Sequence, residues 1–121
     1  MKWRPLGLIA ADELLRMKDD GFRYELVRGK LIKRSPAGHQ HGRIALNFTM
    51  PLDQFVRANQ LGAVYAAGTG FKLSEDPDVV RAPDAAFIRR ERVEAVDKTE
   101  GFWPGAPDLA AEVISPDDAY D

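Results

Sequence analysis

Two carboxylates stand where the strand pattern calls for apolar side chains. In Asp108-Leu109-Ala110-Ala111-Glu112-Val113-Ile114, alternation puts Leu109, Ala111 and Val113 on one face. Ala110, Glu112 and Ile114 share the other face. Both faces are otherwise apolar, so the pattern predicts a strand over residues 109–114 that is covered on both sides. A carboxylate held in such a sheet is costly unless a cation or hydrogen-bond donors meet it. Asp84 opens a second apolar strand over residues 84–88, behind Pro83. Two acids from separate strands that converge at one sheet edge suit a hard cation such as Mg²⁺ or Mn²⁺. At a phosphodiester such a cation polarises the phosphoryl oxygen and helps generate hydroxide. The plainer readings stand beside this one: Asp84 as a turn residue after proline, and Glu112 as the partner of an arginine.

Glu25 is a third acid of interest, at the start of a strand. Its plain reading is a solvent-facing strand glutamate. His39 and His41 are the only histidines. No second cluster completes a zinc site with them. His41 opens a helix, where it could touch a phosphate or cap the helix end. No nucleophile elbow, phosphate-binding glycine loop or dinucleotide fingerprint is present. The sequence holds no cysteine, which excludes disulfides and thiolate metal sites and is compatible with a reducing cytoplasm.

The elements that must position these groups follow from periodicity and punctuation. Residues 10–18 predict a short helix with Leu14, Leu15 and Phe22 as its apolar stripe and Gly21 beyond its end. Residues 24–28 and 30–35 predict a hairpin turning at Gly29. Residues 41–59 predict the main helix, with Ile44, Phe48, Leu52 and Phe55 at helical spacing. Pro51 lies inside it and predicts a kink or a split. Residues 62–66 and 70–73 predict strands. Residues 74–80 predict an acidic turn, 89–96 a helical turn, and 101–107 a loop carrying Phe102 and Trp103. Ser115-Pro116-Asp117-Asp118 reads as a helix opening.

At 121 residues the chain suits one domain, 1–121. Its net charge of −2 gives no overall basic footprint for nucleic acid, although a local patch can still be basic. Arg23, Arg28, Lys30, Lys33 and Arg34 crowd one stretch, and Arg81, Arg89, Arg90 and Arg92 another. Their plain reading is solvated strand ends. No apolar run is long enough to span a membrane, and a cytoplasmic protein is expected.

Four motifs come in order: Tyr24-Glu25-Leu26-Val27-Arg28-Gly29-Lys30-Leu31, His41 at a helix start, Arg81-Ala82-Pro83-Asp84-Ala85-Ala86, and Pro107 through Pro116. Together they resemble the large bacterial restriction-endonuclease family within the PD-(D/E)xK nuclease superfamily. The resemblance implies an α/β (α+β) restriction-endonuclease-like core, a central mixed sheet flanked by helices. It implies that Asp84 and Glu112 are the catalytic acids and metal ligands, that Glu25 assists, and that His41 contacts substrate. It implies Mg²⁺ or Mn²⁺ as cofactor and DNA as substrate. Ile114 occupies the position of the superfamily's usual lysine, and the resemblance implies that the lysine comes from the next helix. That helix, and the closing strand, are expected to lie past Asp121, so weak or absent catalysis is expected of this chain alone. The competing expectations are a nuclease-like module that only binds DNA or a protein, and a homo-oligomer in which another chain covers the apolar strands.

Overall fold

The computed structural model describes residues 7–96 and 101–114. In chain order the elements are α1 (Ala11–Leu15), β1 (Arg23–Val27), β2 (Lys30–Arg34), α2 (His39–Ala58), β3 (Gly62–Ala66), β4 (Phe71–Ser74), β5 (Val79–Arg81), β6 (Ala85–Arg89), α3 (Arg90–Ala95), β7 (Trp103–Pro104) and β8 (Leu109–Ala111). Backbone contacts divide the chain into two compact units. The first comprises Met1–Pro36, Gly68–Ala82 and Lys98–Ala106; the second comprises Ala37–Ala67, Pro83–Asp97 and Pro107–Asp121.

The first unit holds α1 and the expected mixed sheet, in the order β2-β1-β5-β4-β7. Its pairings are antiparallel except for the parallel contact of β4 with β7. The hairpin forms because Arg28 and Gly29 both take positive φ, 52° and 77°, which two-residue turns between twisted strands require. Leu26 and Val80 face each other across β1 and β5 and are buried with Ala11. Ile9, Leu14, Leu31 and Phe102 pack around them. Leu15 and Phe22, expected in that stripe, are exposed instead. The helix is only five residues long, too short to turn them both inward. β5 replaces the end of the expected acidic turn. Asp78, just before it, explains part of this: its carboxylate accepts the Ala11 N–H at 2.7 Å. Its carbonyl accepts the Gly29 N–H at 2.8 Å. That carboxylate satisfies a first-turn donor of α1, which Ala10 at the N-cap cannot do.

The second unit holds α2, α3 and an antiparallel sheet in the order β3-β6-β8. β6 is central, and Ala85, Ala86 and Ile88 are buried on it. Gly62 is required where β3 meets Arg89 of β6: a Cβ there would lie 2.0 Å from the Ile88 carbonyl oxygen. α2 runs unbroken for 20 residues through Pro51, so the predicted split does not occur. It buries Val56, while Ile44, Phe48 and Phe55, the residues at helical spacing, remain exposed. A sheet of three strands is too narrow to cover the whole length of so long a helix. The helix opening read at Ser115 lies outside the described residues. Among the described residues, no helix is long and apolar enough to cross a membrane.

Candidate functional site

Asp84 is the last residue before β6, and it is buried to 4% exposure. Pro83 before it has no N–H to give a neighbouring strand. Asp84 uses its own groups instead. Its backbone N–H donates to the Ala111 carbonyl at 3.0 Å. Its carboxylate Oδ2 accepts the Val113 N–H at 2.7 Å. Asp84 therefore grips the chain on both sides of Glu112.

The same geometry corrects the expected strand. β8 ends at Ala111 because the next ladder donor, the Val113 N–H, is taken by a side chain. Glu112 thus lies one residue past the strand and is exposed, not sealed within a covered sheet. Leu109 and Ile114 are exposed as well, so the segment is an edge, not a strand with both faces covered. An exposed carboxylate beside a buried one avoids the cost of hiding two negative charges together.

His41 comes from the first turn of α2. It is not the cap: Gly38 holds that position. Its Nε2 lies 3.2 Å from Asp84 Oδ2 and its side chain is 14% exposed. Ile44, Phe48 and Thr49 of α2 line a cleft of about 450 Å³ with Asp84, Glu112 and Ile114. The cleft is therefore mostly apolar, with two acids on one wall and His41 in contact with one of them. Hard oxygen donors without sulfur fit Mg²⁺ or Mn²⁺ better than a thiophilic metal. Among the described residues, no three acidic, histidine or cysteine side chains form a metal-binding group. A cation held here would draw its remaining positions from water and phosphate, as Mg²⁺ commonly does.

Glu25 belongs to the first unit and is buried to 3%, not solvent-facing. Its Oε2 accepts the Ala82 N–H at 2.7 Å. Arg81 Nε lies 3.4 Å from the same oxygen. Arg34 Nε lies 2.8 Å from Oε1, as an ion pair without hydrogen-bond alignment. Sequence alone concealed these partners: Arg81 comes from β5, far along the chain, and Arg34, in the same hairpin, is registered opposite Arg23 and not Glu25. The antiparallel register of β1 with both neighbours is the signal that could have found them.

A second carboxylate centre went unread in the sequence. Asp108 accepts the Arg89 N–H at 2.8 Å. Arg89 and Arg92 guanidinium groups lie 3.3 and 3.1 Å from it. The Arg89 backbone bond, then the Arg92 side chain, hold the Asp108 carboxyl below the ordinary aspartate range.

A family model described as Uma2, putative restriction endonuclease, matches residues 11–121. Among solved structures, the chain is similar to a putative nuclease belonging to DUF820 from Anabaena variabilis, at 22% identity and a TM-score of 0.72. That likeness covers 92% of this chain and 61% of the other, so this chain spans about three fifths of its solved neighbour. At that identity it establishes the fold. No curated protein matches the sequence.

Proposed function

The chain belongs to the Uma2 family of putative restriction endonucleases, and from that premise we propose that its second unit carries the cation site of a divalent-metal-dependent endonuclease acting on DNA. The observation that carries this reading is the bracket around Glu112: Asp84 is bonded to Ala111 on one side and Val113 on the other. Two acids from separate segments are thereby held together on one cleft wall.

Asp84 and Glu112 are the residues that would hold Mg²⁺ or Mn²⁺. When bound, the ion supplies charge neutralisation at the phosphoryl oxygen and acidifies a coordinated water. The chain's own residues do the positioning. The Val113 N–H fixes one oxygen of Asp84, and His41 contacts that same oxygen. The imidazole stands at the cleft, where it can also meet a substrate phosphate. Ile44 and Phe48 place apolar surface beside the acids, which lowers the local screening of their charge toward a cation.

One observation favours a second reading, a nuclease-like module that binds without cutting: Ile114, not a lysine, stands two residues after Glu112. Metal binding tests the first reading without requiring turnover. In a calorimetric titration with Mn²⁺, Glu112→Ala should weaken binding by about 100-fold or more. His41→Ala, which removes a partner of a ligand, should cost roughly tenfold. Equal affinity in wild type and Glu112→Ala would overturn the cation site.

A further inference from the structure

The mixed sheet of the first unit carries a cluster of charge that the cation site does not use. Glu25, Arg34 and Arg81 lie on three neighbouring strands, β1, β2 and β5. The carboxylate is 3% exposed, whereas both arginine side chains are 44% exposed. The acid sits beneath and two guanidinium groups stand above it. Each presents Nε to Glu25. Among the described residues neither guanidinium has a partner other than Glu25, which leaves donors on both forks for a further acceptor. Arg23 is the register partner of Arg34, directly across β1 and β2. Two arginines against one buried glutamate leave a local positive excess, on a chain whose net charge is −2.

The other arginine cluster gives the contrast. Arg89 meets both Asp108 and Glu91, and Arg90 meets Glu94, so acids and bases there are matched.

From this we infer that Arg34 and Arg81, oriented by Glu25, form a subsite for backbone phosphates of DNA. The inference rests on the nuclease reading for the identity of its ligand. A guanidinium fork is suited to a phosphate's paired oxygens, and anchoring by Glu25 reduces the side-chain freedom lost on binding. Glu25 is in this role a positioning residue.

The test is binding of a short fluorescein-labelled DNA duplex in EDTA, followed by anisotropy across a salt series. Each phosphate contact adds roughly 0.9 to the slope of log affinity against log salt. Arg34→Ala and Arg81→Ala should each lower the slope by about that amount, and Arg57→Ala, on α2, should leave it unchanged. In the wild type, which needs no mutant to fold, duplex should protect Arg34 and Arg81 from phenylglyoxal while Arg57 stays reactive. Arg34→Lys should keep the slope and lose affinity, because charge remains while the fork is gone. Unchanged slopes in the alanine variants, or no protection of either arginine, would overturn the subsite. Because no divalent metal is present, such a failure would leave the Mn²⁺ titration of Glu112→Ala free to succeed.

Discussion

Asp84 and Glu112 stand out in the sequence, because acids interrupt apolar runs in both segments and their order resembles a nuclease family. Their environments were not. Alternation predicts which face a side chain takes, but not where a ladder stops. Here the Asp84 carboxylate itself takes the Val113 N–H and ends the ladder. Glu25 was misjudged for a related reason: a strand glutamate looks solvated until its arginine partners arrive from other strands. Asp108 offers a test at this scale. Its folded-state pKa is lowered, by the Arg89 N–H first and the arginine charges after it. The stabilisation it gives is thus present above the ordinary aspartate range and lost as pH falls through the lowered value. Asp108→Asn should melt at a lower temperature than wild type at pH 7, with the gap closing as pH falls below the ordinary aspartate range. A gap independent of pH in thermal melts would show that the charge of Asp108 contributes nothing.

Element boundaries came through where local chemistry sets them. The hairpin is written in Arg28-Gly29, and β3 at Gly62–Ala66 agrees with its predicted span. β5 and β7 were missed because they are so short: three and two residues long, they exist only by pairing with other strands. The helical spacing of Ile44, Phe48 and Phe55 correctly marked α2, although these residues are exposed on it. Spacing reports that a stripe exists, and only tertiary packing decides how much of it is covered. Gly62→Ala tests the pairing of β3 with β6. A Cβ cannot sit 2.0 Å from a backbone oxygen, so the strands must part locally. Urea unfolding should register a loss on the order of 2–4 kcal/mol. A change under about 0.5 kcal/mol would mean that the strands do not approach so closely at that point.

Across the whole molecule, composition said little about nucleic acid, because a net charge of −2 averages over both signs. The arrangement is more informative: the two proposed functions, cation binding and phosphate binding, fall in different compact units. The mixed sheet and flanking helices were predictable from the order of the motifs, and the solved neighbour shares the fold over 92% of this chain. The division into a five-stranded and a three-stranded sheet was not, since strand order depends on pairings between segments far apart in sequence. The central claim is that Asp84 and Glu112 hold one divalent ion between them. Paramagnetic broadening by substoichiometric Mn²⁺ in a ¹H–¹⁵N spectrum tests it most directly. The amides of Asp84, Ala111, Glu112 and Val113 should broaden first, and the effect should vanish in Glu112→Ala. Broadening centred on other acids, or an unchanged pattern in that variant, would contradict the claim.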